Sequence, residues 1–316
     1  MPPFRSPHVS VALVTGVLFA VWGALVPTPT HAQSTSSAAA DSVEQFQYEL
    51  AGQFSGTQSA FKDWQEGGLN SLSFTVGVNG TAEQASGRWT QRHDLRLGFG
   101  LLTSEADEDD EPIRKSEDQI RAESDLRYAG DGFFRQFEPT ISARLRTQFA
   151  KGFDYTDNPF PEGHPFAGQE PPVQTSEFFA PAFLTQTLGL TYAPKGWYTV
   201  RLSAASKQTI VQDERLGTLY DIDPGEKIRV EGGAELAGTV DREIFDNVRY
   251  KSSANVFLSI GQIEEPPDLI WENYIIMKVN SWLTTNLEVT ALFDENTTDA
   301  IQIKEVLSLG VTVDLI

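Results

Sequence analysis

The chain has 316 residues, no cysteine and a formal net charge of −20 at pH 7. Without cysteine it can hold no disulfide framework, thiolate nucleophile or Cys-ligated zinc. Its acidity excludes a nucleic-acid partner, because backbone phosphates need Lys and Arg to neutralise them.

Residues 1–8, MPPFRSPH, carry one Arg and no acid, and they lead into the apolar run VSVALVTGVLFAVWGALV. Thr30 and Ala32 then supply small residues at the −3 and −1 positions of a cleavage site. This pattern predicts a secretory signal over 1–32, cleaved after Ala32. The apolar run is also long enough to be read as an uncleaved anchor. Residues 33–43, QSTSSAAADSV, read as a disordered leader, which places the folded part at 44–316. No later segment is apolar enough for a membrane helix.

From residue 44 onward the hydrophobic period is two. Leu72, Phe74, Val76 and Val78 alternate with Ser71, Ser73 and Thr75; Leu95, Leu97, Phe99 and Leu101 oppose Arg92, Asp94 and Arg96. Ile120, Ala122 and Leu126 oppose Arg121, Glu123, Asp125 and Arg127, and Ile141, Ala143 and Leu145 oppose Arg144 and Arg146. The alternation continues through Val200 and Leu202, Leu236, Leu258 and Leu287 to Ile301, Ile303, Leu307, Leu309 and Val313. Such alternation marks strands with one apolar and one polar face. About twelve strands of roughly 11–18 residues follow, longer than the 5–6 usual in soluble sheets. That length suits tilted membrane-crossing strands, which need about 9–11 residues.

Connections alternate in length. AEQASG, YAGDGF, APKGW, REIFDN and VNSWLTT are short. TQSAFKDWQEGG, SEADEDDEPIRKSE, the Pro-rich segment 153–177, QDERLGTLYDIDPGEK and IEEPPD are longer or more polar. Tight turns at one end and long loops at the other are the pattern of an outer-membrane barrel. The fold class is therefore all-β, a transmembrane antiparallel up-and-down β-barrel, with both termini at the short-turn, periplasmic end. Trp89, Phe133, Phe134, Tyr192, Trp197, Tyr198 and Trp282 lie near strand ends, where interfacial aromatic girdles form.

Charges of polar-face parity line water or pair across strands, since an unpaired charge in a low-dielectric site is prohibitive. Lumen-lining candidates are Arg96, Arg121, Glu123, Arg127, Arg144, Arg146, Arg201 and Glu272. Two interiors fit this set. One is closed by ion-paired ladders, for instance Arg96 beside Glu123 or Asp125. The other is a narrow aqueous pore with a slightly cationic wall that favours anionic solutes.

Enzyme chemistry finds little support. His93 has lipid-facing parity and Ser124 is its nearest serine of like parity, but no G-x-S-x-G motif occurs. A triad would further need a polar group to orient the imidazole. His164, in NPFPEGHPF, reads as a solvated loop residue. EADEDDE at 105–111 lacks the spacing of an EF-hand. No catalytic residue, metal site or cofactor is expected.

FKDWQEGGLNSLS, RWTQRHDLRLGFGL, IRKSEDQIRAESDLRY, RLRTQFAKGFDY, FFAPAFLTQTLGLTYAP, ASKQTIVQDE, WENYIIMKVNSWLTTNLEVTALFDE and IQIKEVLSLGVTVDL follow one another. In that order they resemble a family of outer-membrane barrel proteins of unknown function from Bacteroidetes and relatives. The W-x-x-G-G-x-N-S stretch (Trp64, Gly67, Gly68, Asn70, Ser71) is the most specific mark of the likeness. The resemblance implies a barrel at the cell surface and transfers no activity. Residues 61–73 then read as the outer connection between strands at about 44–56 and 70–80, with Trp64 over the rim.

The expected function is a narrow passive channel for small solutes in a Gram-negative outer membrane. A structural or interaction barrel with acidic outer loops is the alternative. Expected partners are membrane lipid or lipopolysaccharide, small solutes, and the barrel-assembly machinery during biogenesis.

Overall fold

The computed structural model describes residues 46–59, 71–104 and 113–315. The signal and leader, the rim loop with Trp64, Gly67, Gly68 and Asn70, and the acidic run 105–111 lie outside the described residues.

The strands in chain order are β1 (Gln47–Ser59), β2 (Ser71–Ser86), β3 (Trp89–Ser104), β4 (Arg114–Tyr128), β5 (Phe137–Thr147), β6 (Gly152–Asp154) and β7 (Val173–Ser176). They continue with β8 (Ala182–Lys195), β9 (Tyr198–Ile210), β10 (Ile228–Phe245), β11 (Val248–Ser259), β12 (Asp268–Lys278), β13 (Leu283–Asp294) and β14 (Thr298–Asp314). Twelve of them close an antiparallel barrel in which each pairs with its neighbours in the chain, β5 pairing with β8. The remaining two, β6 and β7, make a separate two-stranded sheet inside the long β5–β8 connection. Reading the sequence by period gave no sign of that small sheet. β1 and β2 run a few residues beyond the expected 44–56 and 70–80 at their C-terminal ends. β14 closes the ring against β1 from Ala51↔Asp314 to Gly56↔Leu309. Both chain ends of the barrel thus lie at the short-turn end, as an even strand count requires.

Alternation sorts the two faces. Val76, Leu188, Leu202, Leu236, Ile303 and Leu307 point outward and are exposed, Leu202 by 63%. An apolar outer wall over strands of this length is what a hydrocarbon layer satisfies. Closure leaves no backbone edge for lipid to meet, the condition for a sheet to cross a membrane.

The short-turn end is built from tight turns. Gly87 adopts φ +58° in the connection from β2 to β3, and Asn247 adopts φ 64° between β10 and β11, where Asn tolerates the left-handed region. The aromatic residues expected as a girdle gather here. Trp89 packs tilted against Tyr128 (4.8 Å), Phe137 bridges Phe133 (4.8 Å) and Tyr192 (5.3 Å), and Trp197 packs on Tyr198 (4.6 Å).

At the opposite end the β5–β8 and β9–β10 connections fold into a cap with its own small core. Phe160, Val173, Ala180, Val211, Leu216 and Ile222 are buried together, with Phe166, Leu219 and Tyr220 packed against them. A one-turn helix, α2 (Glu214–Gly217), lies here, and an equally short α1 (Phe133–Gln136) lies at the other end; Asp213 caps α2 by accepting the Arg215 amide at 3.0 Å. His164 is not the solvated residue expected. Its ring stacks on Phe160 at 4.2 Å, and its Nδ1 accepts the Phe166 amide at 3.1 Å, because the chain turns back on the proline-rich segment. β4 anchors the cap: Asp118 accepts the Phe149 and Ala150 amides (2.7 and 2.9 Å). Asn296, in the β13–β14 turn, donates to Asp221 of the cap at 3.4 Å.

Candidate functional site: the charged interior

Inward positions carry long charged side chains next to small ones. Along β5, β8, β9 and β10, Ser142, Thr187, Ala205 and Gly233 form one register row. The adjacent row is Arg144, Thr185, Lys207 and Glu231. Small neighbours leave room for guanidinium and ammonium groups to reach across the lumen instead of lying along the wall.

They do reach across. Arg121 on β4 meets Glu272 on β12, on the opposite side of the ring. Arg144 on β5 pairs with Glu235 on β10 and donates to Asn255 on β11. Arg201 on β9 donates to Asp125 of β4 at 2.7 Å and approaches Glu123 (3.5 Å) and Glu235 (3.7 Å). Arg96 on β3 approaches Glu288 of β13 at 3.4 Å, with its guanidinium 4.2 Å over the Tyr274 ring. Nearer the cap, Lys207 holds Asp268 and Asp294 at 2.6 Å each and lies 3.8 Å from Glu231. Lys304 of β14 meets Glu117 of β4 and, at 3.0 Å, Glu288. Contacts between strands this far apart in the ring run through the interior, so these side chains span the lumen.

Six of the eight lumen candidates (Arg96, Arg121, Glu123, Arg144, Arg201 and Glu272) fall into one network. Arg127 pairs separately with Glu138 at 3.7 Å near the short-turn end. Arg146 lies over the Phe183 ring at 4.7 Å, without a carboxylate at ion-pair distance among the described residues. The ladder of Arg96 beside Glu123 or Asp125 does not form. Register sets Arg96 against Asn79 and Arg121, Glu123 against Asp94 and Arg144, and Asp125 against Arg92 and Ser142. The pairing follows the barrel's closure, not adjacency along the wall. Reasoning from sequence did not single out Lys207, Asp268 or Glu117. Extending parity from Arg201 through Ser203 and Ala205 would have reached Lys207.

Elsewhere, His93 Nδ1 lies 2.9 Å from Ser124 Oγ, with Phe46 as ring neighbour. Among the described residues no carboxylate hydrogen-bonds this imidazole, so the orienting group of a triad has no candidate there. Among the described residues no cluster of His, Asp and Glu could hold a metal ion. In the cap, burial pushes the Tyr220 phenol up to about 12, and its hydroxyl donates to the Thr175 carbonyl at 3.0 Å. The hydrogen bond from Arg215 holds the Asp213 carboxyl below its ordinary value.

The closed ring, apolar outer wall and charged interior define a transmembrane β-barrel. Residues 57–153 match the family described as "Protein of unknown function (DUF3078)". No curated protein matches the chain. Among solved structures, the translocator domain of the autotransporter NalP from Neisseria meningitidis is similar at 9% identity and TM-score 0.32, covering 95% of this chain and 94% of that one. An outer membrane channel from Pseudomonas putida F1 is similar at 11% identity and TM-score 0.35, covering 88% and 98%. OprB from Pseudomonas putida is similar at 7% identity and TM-score 0.31, covering 86% and 94%. The barrel thus resembles outer-membrane proteins, and likeness at this level carries no argument about activity.

Proposed function

We propose that this protein is an outer-membrane barrel channel for small solutes, shut in the present conformation by its ion-paired interior. The observation that carries the reading is the chemistry of the lumen. Eight strands already enclose about as much space as side chains can fill; twelve enclose more. Here that space is crossed by Arg, Lys, Asp and Glu in place of apolar side chains. Buried ion pairs offer no stability advantage over a well-packed apolar filling, and replacing them by hydrophobic residues is often neutral or stabilising. A lumen built only to stay closed has no need of them. Paired charges separate and re-form as water and ions enter, which is the behaviour a gated aqueous path requires.

In this reading the chain is exported by a signal ending at Ala32 and inserted by the barrel-assembly machinery. The protein is of the Bacteroidetes type whose sequence mark is W-x-x-G-G-x-N-S. Conductance of the purified 33–316 chain in planar bilayers tests the proposal. Wild type is expected to give rare, small steps, and the Arg121→Gln/Glu272→Gln pair longer openings. Silence from both, with barrels that fold, overturns the channel. A second reading, an interaction barrel, is favoured by the dryness of the middle layer, where Glu235 is 2% and Glu272 3% exposed.

A further inference from the structure

One row of the interior departs from the pairing rule. Across β3 and β4, Arg96 faces Arg121 in register; across β4 and β5, Arg121 faces Arg146. With neighbouring strands about 4.8 Å apart, three guanidinium-bearing positions lie within about 10 Å of wall. Like charges directly opposite one another repel. Arg96 and Arg121 are each compensated from across the lumen, by Glu288 and Glu272. Arg146 is not. The acids nearer the cap, Asp268 and Asp294, are both taken up by Lys207 at 2.6 Å. Arg144, two residues earlier, is buried and paired, whereas Arg146 is partly exposed. The guanidinium carbon lies 4.7 Å from the centre of the Phe183 ring. A planar fork against a ring on one side, partly exposed and beside a second cation, suits an oxyanion taken by paired N–H donors.

We propose that Arg146, flanked by Arg121 and Arg96, forms a binding site in the lumen for a small phosphate-type oxyanion. The site refines the channel reading, and rests on it for the route by which the anion arrives, by naming the charge class that the lumen accepts.

The test is equilibrium dialysis of radiolabelled inorganic phosphate against the folded 33–316 chain in detergent at low chloride. Folding is checked by heat-modifiable gel mobility. Wild type is expected to bind saturably, and Arg146→Met to lose tenfold or more in affinity. Arg146→Lys should fall between them, because an ammonium keeps the charge without the fork. Arg135→Gln, an exposed arginine of the short-turn end, should bind like wild type. If Arg146→Met does not fold, Arg96→Gln reads the same row, with a loss of threefold or more expected. Absence of saturable binding by wild type, or unchanged affinity in the folded row variants, overturns the proposal. A barrel that is silent in bilayers yet binds phosphate through Arg146 retains the site and discards the channel. One that conducts without Arg146-dependent binding does the reverse.

Discussion

The two ends of the lumen use the same residue types to different effect. Near the short turns, Arg92 pairs with Glu83 (3.0 Å) and Asp94 (2.8 Å), and Arg249 with Asp241 (2.5 Å). These groups stand in water, the Arg92 side chain being 41% exposed. From the middle of the barrel towards the cap, Arg144, Arg201, Lys207, Glu235, Glu272 and Asp294 make pairs of similar length while buried. Exposed pairs contribute about 0–1 kcal/mol. A buried pair adds little net stability against an apolar filling, yet removing one partner strands the other and costs about 3–5 kcal/mol. The wet end is therefore tolerant of change and the dry end is not, although a list of ion pairs would rank them together.

The largest expected effect is at Lys207, which serves three carboxylates. Lys207→Met should lower barrel stability by about 3–5 kcal/mol or more, read as a shift in the urea midpoint followed by tryptophan fluorescence in lipid vesicles. Glu235→Ala, which strands Arg144 and weakens Arg201, should cost about 3–5 kcal/mol by the same measurement. Within the cap, Leu216→Ala removes a fully buried side chain and should cost about 2–5 kcal/mol. That loss should appear as faster amide exchange at Val211 and Ile222 with the barrel's urea midpoint unchanged. Exchange that accelerates in the strands as well would show that cap and barrel unfold as one.

Alkaline pH should loosen the cap more gently. Tyr220 has its phenol raised from an ordinary value of 10.0 to about 12 by burial. A raised value in the folded state means stability is fully present below pH 10. It is lost as pH climbs from there through about 12, because only the unfolded chain releases the proton easily. Absorbance titration should show a late-ionising tyrosine that Tyr220→Phe removes; an unchanged curve would contradict the assignment. The smallest effect belongs to the wet end, where Arg249→Ala should cost about 1 kcal/mol or less. A loss there as large as that at Glu235 would erase the distinction between the two ends.

Much of the wall was legible because its two faces meet different media. Leu202 and Arg201 are adjacent in sequence, and only a strand between apolar and polar surroundings explains both. The alternation of connection lengths likewise placed the turns, and most of the aromatic set from Trp89 to Trp282 gathers at the short-turn end. Parity gives inside and outside, but it is silent on stagger around a ring. Nothing local to Arg96 indicates that its carboxylate is Glu288, 192 residues away; that pairing follows from how β14 meets β1. The cap escaped for a related reason. Phe160, Val173, Ala180, Val211, Leu216 and Ile222 come from two loops and share no period, so their common core exists only once the strands bring those loops together.

The seam between β1 and β14 carries a consequence for how the molecule is made. Its partners lie about as far apart in the chain as any in the barrel, with Thr57 donating to the Leu307 carbonyl across 250 residues. It spans Ala51–Gly56, whereas β1 pairs with β2 from Gln47 to Ser59. Contacts this distant carry the greatest loop-closure entropy, so local hairpins have every advantage in forming first. Until the seam joins, the growing sheet presents two open edges whose N–H and C=O groups hydrocarbon cannot satisfy. Unassisted insertion thus faces its steepest penalty at the last pairing, which is the step a catalyst of barrel assembly would have to shelter.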